Sequence, residues 1–257
     1  KVSDRKVRDE WKPLWGKRAV VEDHFNELVI DLVNPAGQPE RMQLVVRGYN
    51  DGFAFCYKIP DGKGPCVNVQ SELTAYNFAG DYTAWFYNGE NHNIGPEKLT
   101  ETDGTRLPVM TVKAGDKHYM AIHEACLETG APLVLQSKGG ESLFSVASKP
   151  TSLSPGYTSA WRVVLYGTTP GVLTDSHLLE LLNPDPDSRY DFSWVKPGLA
   201  VWDWRINGAV WDGFTYGMSY PSWVRMVDFA AEQGFKYLVL DANWYGPEFE
   251  SDSDPVK

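Results

Sequence analysis

The 257-residue sequence predicts a mainly β chain, with an antiparallel β-sandwich over residues 1–190 and the start of a (β/α)8 barrel over 191–257. Three observations carry this. From residue 20 to about 170, short apolar runs recur between clusters of Gly, Pro, Asn and Asp, the pattern of strands joined by tight turns. The Pro-rich stretch "NPDPDSRYDFSWVKPG" (183–198) then interrupts that pattern, as a linker or a domain's entry segment does. Beyond it, strand, helix and strand signals follow one another closely, which makes one βαβ unit with parallel strands and a right-handed crossover.

The elements follow in order. "MQLVVRGYNDGFAFCYKIP" reads as a hairpin: an apolar run, an Asn-Asp-Gly turn at 50–52, then Phe53, Phe55, Tyr57 and Ile59 at alternating positions. Further short strands are expected at "LTAYNF", "TAWFYN", "MTVK", "HYMAIHEA", "PLVLQS" and "AWRVVLYG". In the second region "LAVWDW" reads as a buried strand, followed by a Gly-rich loop. Pro221 then falls in the first turn of a helix with Trp223, Val227 and Ala230 on one face, Ser219 caps its start, and Gly234 ends it. "FKYLVLD" is the next strand, expected to be buried on both faces. A lone βαβ unit leaves faces and edges uncovered, so the chain reads as a fragment of a larger barrel.

Composition narrows the function. A formal net charge of -10 argues against nucleic acid or an anionic lipid surface as a partner, because phosphate binding relies on clustered Lys and Arg. No apolar run approaches the roughly 18 residues that a membrane span needs, and the N-terminus lacks the apolar centre of a signal peptide. Cys56, Cys66 and Cys126 show no Cys-x-x-Cys spacing and read as ordinary buried thiols, with one disulfide left open. Ten Trp, thirteen Tyr and eleven Phe suit both a sugar site and a β-sheet core.

Several motifs fail on inspection. "AIHEACLE" begins like a zinc-protease helix, but Leu127 stands where the second His is needed. Glu124 within it remains either an exposed carboxylate or a calcium ligand, since hard cations take carboxylate oxygen. "GMSYP" lacks the second Gly of a nucleophile elbow. The strand ends "VWDWR" and "LDANW" are different, because each delivers an acid and an indole to the C-terminal end of a predicted parallel strand, where a barrel carries its active site. Trp202, Asp203, Asp241 and Trp244 are therefore candidate sugar-binding residues: carboxylates accept hydrogen bonds from hydroxyls, and indole faces stack on the ring. The alternative is that the aromatics pack the barrel and the acids cap turns.

The strings "DEWKPLWGKR" (9–18), "HFNELVIDL" (24–32), "RGYNDGFAFCYKIP" (47–60), "AWRVVLYG" (160–167), "DFSWVKPGLAVWDW" (191–204) and "VDFAAEQGFKYLVLDANWY" (227–245) resemble glycoside hydrolase family 97, in that family's order. The resemblance implies an N-terminal β-super-sandwich joined to a (β/α)8 barrel, a calcium ion at the active site, and hydrolysis of α-glucosidic or α-galactosidic bonds by an exported bacterial enzyme, periplasmic or secreted. It implies that Glu124 is a calcium ligand and that the catalytic carboxylates lie beyond Lys257. The expected function is a calcium-dependent, exo-acting α-glycosidase acting on oligosaccharides. A non-catalytic carbohydrate-binding β module is the alternative, and it predicts no gathering of acids at parallel strand ends.

Overall fold

The computed structural model describes residues 2–33 and 41–254. They divide into two compact units, Lys1–Asp187 and Ser188–Lys257.

Among the described residues the first unit has fourteen strands, two short α-helices and a 3-10 turn at Leu99–Glu101. The strands are β1 (Val2–Trp11), β2 (Val21–Val33), β3 (Arg41–Tyr49), β4 (Gly52–Lys58), β5 (Val67–Val69), β6 (Ala75–Asn77), β7 (Thr83–Tyr87), β8 (Ile94–Lys98), β9 (Asp103–Lys113), β10 (Tyr119–Ala125), β11 (Leu135–Lys138), β12 (Leu143–Val146), β13 (Thr151–Leu153) and β14 (Trp161–Gly167). Helices α1 (Pro170–Asp175) and α2 (Leu178–Leu181) follow. Twelve strands join one sheet in the order β1-β2-β3-β4-β14-β10-β9-β11-β12-β6, with β7 pairing β8 and β9, while β5 and β13 form a separate pair. The main-sheet pairings are antiparallel.

Two faces of this sheet carry two cores, and the alternation along β10 and β14 shows why. Side chains of a strand point alternately to opposite faces. Ala121 on β10 and Trp161, Val163 and Leu165 on β14 lie in one core with Leu178 and Leu182 at and after α2. Ile122 on β10 lies in the other, with Phe86, Met110, Leu135 and Phe144, where the sheet doubles over itself as a sandwich. Phe86 and Phe144 meet at 5.8 Å between ring centroids. The predicted hairpin is present as β3 and β4. A Cβ at Gly52 would stand 2.3 Å from the Val164 carbonyl oxygen, so glycine there lets β4 lie against β14.

The second unit has β15 (Ala200–Trp202), α3 (Asp203–Ile206), β16 (Val210–Trp211), β17 (Phe214–Thr215), α4 (Tyr220–Gln233) and β18 (Tyr237–Val239). β15 and β18 pair in parallel across α4, the predicted βαβ unit, and β16 and β17 make a small hairpin inside the expected loop. Several details differ from the sequence reading. Tyr237 and Val239 are exposed, so β18 is not buried on both faces. The buried stripe of α4 is Ser222, Met226 and Ala230, with Val227 exposed. Ser219 has the backbone geometry of an N-cap but makes no side-chain cap bond, and its Oγ lies 3.3 Å from Ser222 Oγ. Gly234 ends the helix in the left-handed conformation at φ 72°. All three cysteines are free: Cys56 is buried, Cys126 half-buried and Cys66 exposed. Among the described residues, no helix is long and apolar enough to cross a membrane.

Candidate functional site

The candidate residues fall in both units, and each group is described within its own. In the second unit, β15 and β18 run in register, Trp202 opposite Val239, so their ends carry Asp203 and Asp241 side by side. Asp203 is 1% exposed. Its Oδ2 accepts from the Trp223 indole Nε1 at 2.9 Å, and its Oδ1 accepts from the Asp241 backbone N–H at 3.0 Å. A buried carboxylate must be satisfied by such donors. Asp203 is thereby withdrawn from solvent and ties α4 and the end of β18 to the end of β15.

Asp241 in turn holds Trp202, whose indole Nε1 donates to Asp241 Oδ2 at 2.7 Å, while Ala242 N–H donates to Oδ1 at 2.9 Å. The Arg205 guanidinium sits 4.9 Å from the Trp202 ring centroid, within cation–π range. Trp202 remains 37% exposed, so part of a fixed indole is open to a ligand. Trp244 is 48% exposed and packs edge-on against Tyr245 at 5.3 Å. Asp203, Asp241 and Trp202 are thus brought together by direct hydrogen bonds, and Trp244 stands three residues further along the chain. Trp223 was missed in the sequence, where it reads as one aromatic of a helical stripe.

In the first unit, Glu124 lies on the sandwich-core face of β10, opposite Arg162 on β14. Arg162 is 5% exposed and serves two carboxylates. Its Nε and Nη2 donate to Glu72 Oε1 and Oε2 at 3.0 and 2.7 Å, and its Nη1 donates to Glu124 Oε2 at 3.1 Å. Leu133 N–H donates to both Glu124 oxygens at 2.9 Å. Burial alone would raise the Glu72 carboxyl, but the hydrogen bonds and charge of Arg162, with Thr74, hold it below its ordinary range. Burial pushes the neighbouring His123 imidazole down against the pull of Glu124, and its Nδ1 accepts from the Glu124 backbone N–H at 2.8 Å. Sequence reasoning missed Arg162 and Glu72. The signal was a lone Arg inside the apolar run "AWRVVLYG", a buried charge that demands partners.

A calcium ion takes six to eight oxygen ligands. Among the described residues, no group of three or more His, Cys, Asp and Glu side chains is placed to hold a metal ion, so these residues alone do not build a site. As one ligand of such a site the Glu124 carboxylate fits. The cluster holds two carboxylates and one guanidinium, leaving one negative charge uncompensated, and its side chains are only 6% (Arg162), 10% (Glu124) and 19% (Glu72) exposed.

The mainly antiparallel β fold agrees with what comparison with known proteins finds. Residues 1–184 match the family model described as "Glycosyl-hydrolase 97 N-terminal". The chain belongs to glycoside hydrolase family 97. It is 27% identical over 286 residues to a protein named retaining alpha-galactosidase from Bacteroides thetaiotaomicron, covering 94% of this chain and 42% of that protein. It is 30% identical over 225 residues to a probable retaining alpha-galactosidase from Streptomyces bingchenggensis, covering 80% of this chain and 32% of that one. A family 97 enzyme from Pseudoalteromonas sp. strain K8, solved in complex with acarbose, superposes with a TM-score of 0.77 at 26% identity, over 96% of this chain and 40% of the other. The chain thus spans less than half the length of these proteins.

Proposed function

We propose that the full-length protein containing this chain is an exo-acting α-glycosidase that hydrolyses terminal α-galactosidic or α-glucosidic bonds of oligosaccharides. The observation that carries this reading is the strand-end cluster of Trp202, Asp203 and Asp241, a pre-positioned indole and acid where a barrel presents its ligand. The names of the two curated relatives support an α-galactoside, and the acarbose and panose complexes of the Pseudoalteromonas enzyme support an oligosaccharide ligand.

In this reading Trp202 and Trp244 offer indole surface to the apolar side of a sugar ring, and the free acceptor capacity of Asp241 takes a sugar hydroxyl. Asp203 acts through its neighbours, holding Asp241 and Trp223 in place. The catalytic carboxylate pair belongs to the remaining length of the protein, where one group protonates the leaving oxygen and the other attacks carbon or activates water. Calcium is part of the proposal, with Glu124 as one of its ligands. When bound, such an ion polarises hydroxyls or water near it. A periplasmic or secreted location is carried with the proposal from the family resemblance.

The test uses the full-length protein with nitrophenyl α-galactoside and α-glucoside. Release of nitrophenol from at least one is expected, and Trp202→Ala should raise KM on the better substrate by about tenfold, the order of one lost stacking contact. Binding of oligosaccharide with no hydrolysis of either glycoside would instead establish the carbohydrate-binding module.

A further inference from the structure

We infer that Arg205 is a substrate-binding residue: together with Asp241 it holds a pair of neighbouring sugar hydroxyls beside the Trp202 indole, the guanidinium donating to one and the carboxylate accepting from the other. The inference rests on the proposed sugar site at the ends of β15 and β18, and it names the group on the sugar that this site reads.

Arg205 reaches this place by its spacing. Trp202 ends β15 and stands at the N-cap of α3, and residues three apart on a helix are neighbours, so Arg205 lies over the indole, 4.9 Å from its centroid. An exposed arginine normally extends into water, but stacking on an aromatic face fixes the plane of the guanidinium. Asp241 is fixed from the neighbouring strand. Its Oδ2 accepts from Trp202 Nε1 at 2.7 Å, its Oδ1 accepts from Ala242 N–H at 2.9 Å, and its own N–H donates to the buried Asp203 at 3.0 Å. One indole thus anchors a cation on its face and an anion at its edge.

These opposite charges are not paired with each other. Among the described residues Arg205 makes no hydrogen bond or ion pair, so its five N–H donors are unused, and Asp241 keeps about two of the four acceptor positions of a carboxylate. A sugar supplies what both lack. One hydroxyl can donate to Asp241 while its neighbour accepts from Arg205, and hydrogen bonds to charged partners are the stronger ones. With Arg205 stacked on it, Trp202 is still 37% exposed, which leaves indole surface for the sugar ring.

The experiment measures kcat and KM of full-length wild-type and Arg205→Met protein on the better nitrophenyl α-glycoside and on the series of its monodeoxy analogues, alongside thermal unfolding of each variant. Arg205→Met is expected to lower kcat/KM on the unmodified glycoside by about 10–100-fold, the order of one hydrogen bond to a charged group. Removing the hydroxyl that Arg205 contacts should cost the wild-type protein a similar factor but cost Arg205→Met less than about twofold, because that bond is already gone. Arg205→Lys keeps the charge without the planar fork and should fall between the two. Should Arg205→Met not fold, Arg205→Lys carries the same comparison. An Arg205→Met protein as active as wild type overturns the inference. So does a weakened one that remains fully sensitive to the loss of every hydroxyl, since Arg205 then serves the indole alone. If the wild-type protein cleaves neither nitrophenyl glycoside, the α-glycosidase reading and this inference both fall.

Discussion

Two charge clusters in the same sandwich are built from the same residue types with opposite sign. At the first, the buried Glu27 carboxylate accepts from Arg5 Nε at 2.6 Å and Arg47 Nε at 2.8 Å, two cations on one acid. At the second, Arg162 is shared by Glu72 and Glu124, two acids on one cation. The surplus positive charge of the first sits on Arg5, which is 59% exposed and solvated, while Arg47 also stacks on Phe25 and Trp161 at 4.4 and 4.8 Å. The surplus negative charge of the second has little water to solvate it. A buried charge is retained only where something compensates it, so the first cluster is a finished structural tie and the second is an unfinished one.

The largest expected effect breaks the second cluster. Arg162→Met leaves two buried carboxylates without their shared cation and should destabilise the fold by about 3–5 kcal/mol in urea unfolding. Arg5→Met, at the solvated end of the first cluster, should cost under about 1 kcal/mol. Equal losses in the two variants would erase the distinction between the two clusters.

A smaller effect is a pH dependence common to both clusters. Burial alone would raise Glu27, but hydrogen bonds and charge from Arg5 and Arg47 hold it below the ordinary value of 4.5, as Arg162 does for Glu72. A depressed carboxyl contributes stability that is fully present above its unfolded value and is lost as pH falls through the lower folded value. Unfolding free energy should therefore fall on acidification below about pH 4.5, and the double variant Glu27→Gln, Glu72→Gln should flatten that slope. A wild-type slope retained by the double variant would assign the acid sensitivity to other groups.

The smallest effect has the opposite sign. Asp23 Oδ1 and the Tyr49 hydroxyl are buried near one another, with no hydrogen bond of normal geometry to either. Burial pushes the Asp23 carboxyl above its usual range and Tyr49 up to about 12. A raised acid stabilises the fold below its unfolded value, and that contribution is lost as pH rises through the folded value. At neutral pH its charge is a burden, so Asp23→Asn should be neutral or stabilising by up to about 1 kcal/mol. A clear loss of stability would show that the charge is used.

Much of the scaffold was legible in the sequence because it depends on local pattern. The period-two alternation around Phe53 and Phe55 requires a strand whichever strand it pairs with, and Asn50, Asp51 and Gly52 require a turn. Strand β1 was not read, because "VSDRKVRDEW" has few apolar residues and owes its conformation to ten consecutive pairings with β2. Helices α1 and α2 were also passed over, although Pro170 stands at the start of the first and Leu178 is buried beneath the second. At the candidate sites, Asp203 and Asp241 were visible as acids at strand ends, and Glu124 through the resemblance to the family. Their partners were not, because Glu72 reaches Arg162 across ninety residues, a distance at which periodicity carries no information.

The place of β14 between β4 and β10 has a consequence for biosynthesis. Phe55 pairs with Arg162, so the edge of β4 must wait for chain that emerges 107 residues later (162 − 55). At ribosomal rates that is a delay of roughly 5–20 s. Throughout it the β1–β4 meander presents an unpaired hydrogen-bonding edge beside its own apolar side chains, until "AWRVVLYG" arrives to close the sheet.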